Sequence, residues 1–204
     1  MNLKKGWLAI AFCFLAAICV AQESYPNHQV NINFGYGTSM PLVSDAGLKF
    51  SSTNPHYVGY SWNIQIGDDS PFYVHLSDLV FSMVGMTYNQ SYPADGGIRM
   101  EKQRFRSYCF GGFGLAYYVL PEFYFAASIR PYMIRNSEIA DAFGETLAFI
   151  SAEVSYKVAE RFAVFGRFQD GLTAPTIDYV TETGKVESSS VKMRLAHVGI
   201  ALTF

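Results

Sequence analysis

The final stretch of the chain, Val191-Lys-Met-Arg-Leu-Ala-His-Val-Gly-Ile-Ala-Leu-Thr-Phe204, admits few folds. Counting back by twos from Phe204 meets Leu202, Ile200, Val198 and Ala196, all apolar. Between them lie Thr203, Ala201, Gly199 and His197, which are small or polar. Successive side chains of a strand point to opposite faces, so this alternation predicts a strand with one greasy face and one small-polar face. A soluble sandwich can supply such a strand but has little reason to stop on it, because chain ends are ordinarily frayed and polar.

The other end of the chain reads differently. Lys4 and Lys5 are followed by an apolar run from Gly6 to Val20, then by Ala21 and the polar Gln22-Glu23-Ser24. That is the layout of a secretory signal peptide over residues 1–21, leaving 22–204 as one domain. The run is short of the ~20 residues a membrane-spanning helix needs. Lipidation at Cys19 fits poorly, since bulky Ile18 precedes it. Export leaves Cys109 alone; a lone cysteine makes no internal disulfide, and it reads as a small apolar strand residue.

Composition narrows the class. Half of the residues are apolar and 16% are aromatic, yet no apolar run of ~18 residues follows the leader, so transmembrane helices are excluded. An exported, Tyr- and Phe-rich chain with period-two strands has one main alternative to a soluble sandwich, a barrel whose outside faces lipid. The formal charge of −2, without basic runs, gives no footing for nucleic acid.

Eight strands are expected. His28 to Gly37 alternates Val30, Ile32, Phe34 and Tyr36 against Gln29, Asn31, Asn33 and Gly35. His56 to Ile66 alternates in the same way, and Asp68-Asp69-Ser70-Pro71 signals a turn. The segment Phe72 to Gln90 is too long for one membrane strand of about 9–11 residues. The crossing is placed near Leu79 to Tyr88, bulged at Gly85, with Phe72 to Asp78 assigned to the turn region. Arg104 to Val119 is expected to carry Phe105, Cys109, Phe113, Leu115, Tyr117 and Val119 on one face and Gly112, Gly114 and Ala116 on the other. Strands follow at Phe123 to Met133, Ala148 to Val158, Phe162 to Gln169 and the terminal stretch. Tight turns are expected at Pro121-Glu122 and Ala159-Glu160. Long connections are expected at Thr38 to Pro55, Ser91 to Lys102, Arg135 to Glu145 and Asp170 to Ser190. Long and short connections alternate, as in barrels with long outer loops and short periplasmic turns, although the gap after strand two fits less well.

The signal peptide, the terminal Phe204 strand and the loop alternation together resemble the small outer-membrane barrels of the OmpA/OmpX type. That resemblance implies an all-β, eight-stranded, antiparallel up-and-down transmembrane β-barrel, monomeric, in the outer membrane of a Gram-negative bacterium. It further implies that Phe204, Leu202, Ile200 and Val198 carry the assembly signal read by the barrel-insertion machinery, with periplasmic chaperones as transient partners. Outer-membrane lipids and lipopolysaccharide would surround it, and the outer loops could meet a surface partner. No periplasmic peptidoglycan-binding domain is expected after Phe204.

Eight strands enclose an interior that side chains can fill. The small-polar faces put Arg130, Glu153, Arg167, Lys157 and His197 inside, with Asn63 and Gln65. Buried charges must be paired, and Glu153 can be shared between Arg130 and Arg167. A salt-bridged plug is expected, with a narrow pore as the alternative. The sole catalysis-like element is His75-Leu76-Ser77-Asp78, which loosely resembles the His-x-Ser element of lipid A deacylases. With no acid on the same face and a periplasmic position, it is expected to be polar turn residues, so the chain is read as no enzyme. No metal-ligand spacing or nucleotide motif is present, and no cofactor is expected. Gly111-Gly112-Phe113-Gly114 lies in a strand and reads as close lumen packing. The leading function is structural or surface-interactive, through the outer loops.

Overall fold

A computed structural model describes residues 25–43, 50–53, 56–77, 82–94, 97–109, 111–134, 146–174, 176–180, 183 and 185–204. The expected signal peptide and the connection Arg135 to Glu145 therefore lie outside the described residues. Twelve strand segments form the wall: β1 (His28–Val43), β2 (Phe50–Thr53), β3 (His56–Gln65), β4 (Phe72–Ser77), β5 (Ser82–Ala94) and β6 (Gly97–Cys109). They continue as β7 (Gly112–Leu120), β8 (Phe123–Ile134), β9 (Thr146–Ala159), β10 (Phe162–Gly171), β11 (Thr176–Val180) and β12 (Val186–Thr203).

The segments combine into eight antiparallel staves, each paired with its neighbours in the chain. β2 and β3 share one stave, as do β4 with β5, β6 with β7, and β10 with β11. The ring closes where β12 pairs β1, from Asn31↔Thr203 up to Val43↔Val191. Phe204 is tied in as well: its N–H donates to Val30 O at 2.9 Å, and its carbonyl accepts from Val30 N at 3.1 Å. Closure removes the unpaired edges that an open sheet would leave, which is what lets a β structure sit in lipid.

Period-two alternation decides which residues face out. Val198, Ile200 and Phe204 on β12, Val154, Tyr156 and Val158 on β9, and Phe113, Leu115 and Tyr117 on β7 are exposed. In a soluble protein, so broad a band of bare apolar side chains would be unsustainable. Around a barrel it is the lipid-facing belt. Tyr36, Tyr117 and Phe168 are among its exposed aromatic residues.

Four sequence expectations are corrected. Phe72–Ser77 is not a turn but a wall strand, β4, laddered to β3 (Asn63↔His75) and β7 (His75↔Gly114). With that change, the connection after the second stave shrinks to residues 66–71, where Gly67 (φ +82°) and Asp69 (φ +53°) turn the chain. The apparent exception to the alternation of long and short connections disappears. No bulge occurs at Gly85; β5 and β6 stay in register from Ser82↔Cys109 to Ala94↔Gly97. That ladder also overturns the loop at Ser91 to Lys102, most of which is a two-stranded extension of the wall. Finally, Cys109 does not share a face with Phe113 and Leu115. The chain breaks between β6 and β7, where Gly111 takes φ +142°, a value open to glycine. The break shifts the alternation, and Cys109 turns inward and is buried.

Smaller differences follow the same logic. β1 runs on to Val43 and β2 occupies 50–53, so the first connection is shorter than expected. The turn after β9 is at Glu160 and Arg161, one residue later than expected. β11 pairs Val186 to Ser190 of β12, so much of the connection expected at Asp170 to Ser190 is a two-stranded extension of the wall.

Candidate functional site

The inward residues fill the lumen in three layers. Nearest the short turns is a layer of amides, hydroxyls and tyrosines. Asn63 Nδ2 donates to the Tyr118 hydroxyl at 2.8 Å, and that hydroxyl donates to Gln29 Oε1 at 2.8 Å. Asn31 and Asn33 both reach Ser61 Oγ, and Thr203 Oγ1 donates to Asn31 Oδ1 at 3.0 Å. Tyr73, Tyr118 and Tyr124 stack through this layer, with ring centroids 4.3 and 5.0 Å apart. These bonds give the amides and hydroxyls partners they would otherwise lack once out of water.

The middle layer is charged. Arg167 Nε donates to Glu153 Oε2 at 2.7 Å, and Arg167 Nη2 lies 2.5 Å from the same oxygen. Arg130 Nη2 approaches Oε2 from the other side at 3.5 Å, and Tyr124 OH donates to Oε1 at 2.9 Å. Arg130 Nε is held by Ser128 Oγ at 3.1 Å, and the Arg167 guanidinium lies 5.5 Å from the Phe165 ring centroid. The register explains the meeting, because Glu153 stands opposite Ala126 on β8 and Arg167 on β10. Arg130 is 0% exposed, and Glu153 and Arg167 are 3% exposed each. His197 lies inside too, its ring packed where a side chain at Gly37 would stand.

The outer layer is apolar. Tyr132, Leu147, Phe149, Val191, Met193 and Leu195 are buried inside the wall. The Tyr132 and Phe149 rings meet edge to face at 5.0 Å, and Tyr132 OH donates to Gln169 Oε1 at 2.8 Å.

Lys157 and Gln65, both expected inside, sit at the turn end of the barrel. Both are only partly buried, and Gln65 Nε2 donates to Ser70 O at 2.8 Å in the turn. His75 and Ser77 lie on the inward face of β4 at 0% exposure. His75 Nδ1 shares a 2.6 Å hydrogen bond with Asn63 Oδ1, while His75 Nε2 and Ser77 Oγ have no hydrogen-bond partner among the described residues. The two are therefore not bonded to each other, as a serine nucleophile and its base would need to be.

Phe204, Leu202, Ile200 and Val198 share the outward face of β12. Sequence reasoning did not single out the tyrosine stack or the outer apolar layer. Their signal was present: Tyr124 precedes the inward Ala126, Ser128 and Arg130 in step, and Val191, Met193 and Leu195 continue the inward series of β12.

Among solved structures the chain is similar to OprG, an outer membrane protein of Pseudomonas aeruginosa. The TM-score is 0.55 at 11% identity over 89% of this chain and 98% of that one. It is similar also to Ail, the attachment invasion locus protein of Yersinia pestis, with a TM-score of 0.51 at 12% identity over 88% and 100%. The fold is that of a small outer-membrane β-barrel. At these identities the likeness extends to fold alone. No protein-family model matches the sequence, and neither does any curated protein.

Proposed function

We propose that this chain is an integral protein of a Gram-negative outer membrane, exported through residues 1–21 and assembled as a monomer. In this reading, the outward face of Phe204, Leu202, Ile200 and Val198 is what the insertion machinery reads, after handover from periplasmic chaperones. The barrel is closed to solutes, and its role is structural or surface-interactive, exercised by the connections and hairpins at its outer end, such as β5–β6 and β11–β12. The observation that carries this reading is the combination of an apolar belt outside with the Arg130–Glu153–Arg167 cluster inside. A belt without a conduit anchors the molecule and leaves its outer end as the working part. A lipid-modifying hydrolase draws no support from His75 and Ser77, because both are sealed in the lumen with no path to an acyl ester.

Membrane fractionation with gel migration before and after boiling tests the proposal. The protein should partition with outer membranes and migrate differently when heated. A soluble fraction with identical migration in both lanes would refute it. For the hydrolase alternative, lipid A from cells making the wild type and Ser77→Ala should have the same mass.

A further inference from the structure

The outside of the closing strand changes character part-way up. From Phe204 to Ala196 its outward residues are apolar; the next two outward positions are Arg194 and Lys192. Ten residues separate Phe204 from Arg194. At about 3.4 Å per residue and a tilt of about 40°, that is roughly 26 Å of height, close to the ~25 Å apolar band of such barrels. Arg194 thus stands at the upper margin of the belt, and Lys192 about 5 Å above it. At this height in a bilayer, acyl chains give way to headgroups.

Both cations converge on one carboxylate. Lys192 Nζ donates to Asp170 Oδ2 at 2.5 Å, and Arg194 Nε donates to Asp170 Oδ1 at 2.8 Å. The register sets this up by placing Asp170 of β10 opposite Arg194. Two cations against one anion leave a positive charge in excess. Lys192 and Arg194 keep 38% and 42% of their side chains open, and only the Nε edge of the guanidinium is engaged among the described residues. The two terminal Nη nitrogens make no bond among the described residues, and a half-open guanidinium held by its Nε is suited to gripping two oxygens of a phosphate. The surroundings are greasy: Met40 and Leu42 stand opposite Arg194 and Lys192 on β1, and Leu172 and Phe168 flank Asp170, all exposed.

We propose that Lys192 and Arg194, held side by side by Asp170, form a docking site for the phosphorylated headgroup of an outer-leaflet glycolipid. Its acyl chains would run down over Phe168, Val198 and Ile200. The cations supply charge complementarity, the belt below supplies apolar contact, and the outer end of the barrel is the end an outer-leaflet lipid reaches. The inference deepens the membrane reading above and rests on it.

The test uses the full chain, folded in detergent, with native mass spectrometry to count retained lipid. Phosphorylated lipid A and its dephosphorylated form are offered to the wild type and to the double variant Lys192→Gln, Arg194→Gln. The wild type should retain the phosphorylated form at least tenfold better, and the double variant should lose that preference. Inorganic phosphate in millimolar excess should not displace the lipid. Equal retention of both lipid A forms by the wild type would overturn the proposal, as would an unchanged preference in the double variant. Displacement by inorganic phosphate would do so too, because the belt would then contribute nothing. Should the double variant fail to fold, the wild-type comparison of the two lipids still decides. Failure of the membrane reading would show separately, as a wild type absent from outer membranes and without heat-dependent migration.

Discussion

Glu153 is the residue on which the described interior depends, because its carboxylate faces two guanidinium groups. Glu153→Gln keeps the volume and removes the negative charge that faces Arg130 and Arg167. It should cost about 3–5 kcal/mol, the range for breaking a buried pair, read by urea unfolding in lipid vesicles. Replacing all three residues with Met or Leu should cost far less, since apolar substitutes of similar volume often match a buried ion cluster. Gly37 is sensitive for a steric reason: a Cβ there would stand 2.7 Å from Ala196 O and 2.8 Å from His197 Nε2. Gly37→Ala should destabilise by about 1–3 kcal/mol, the usual range for overpacking, in the same unfolding assay. The charged partners were legible because Arg130, Glu153 and Arg167 fall on the small-polar parity of their strands. Lys157 shares that parity yet stays at the mouth, since parity gives the face of a strand and not the depth. His75 escaped for another reason: its strand is six residues long, too short for alternation to outweigh the neighbouring turn signal.

Strand by strand, the reading succeeded where alternation is unbroken and failed where the backbone changes step. β1, β9, β10 and β12 carry their outward and inward sets as the alternation requires. The staves built from two segments were the hard ones, since a break resets the parity without any mark in composition. Gly111 is the clear case: nothing in Cys-Phe-Gly-Gly tells a reader that Cys109 will turn inward. The outward assignment of β12 has its own test. Ile200→Lys puts an ammonium into the belt and should cost roughly 2–4 kcal/mol, whereas Leu172→Lys, at the outer margin, should cost about 0–1 kcal/mol. Refolding into vesicles followed by urea titration compares them. Equal, negligible losses would refute the lipid-facing assignment of this strand.

For the whole molecule, the three filled layers predict no passage. Wild-type protein in planar bilayers should give no discrete single-channel openings, and reproducible conductance steps would contradict a sealed lumen. The ring and its up-and-down order were legible from the alternation of long and short connections, once β4 is counted as wall. The outer hairpins were not, because strand pairing above a membrane needs no apolar face and leaves little periodicity to read. The inversion on β12 between Ala196 and Leu195 has one more consequence. Below it grease faces out, and above it Val191, Met193 and Leu195 turn grease in while Lys192 and Arg194 face out. The barrel therefore carries its own waterline. A bilayer thicker than the belt would have to drown Arg194 or pinch to meet it, so this wall, more than the lipid around it, determines how deep the molecule floats.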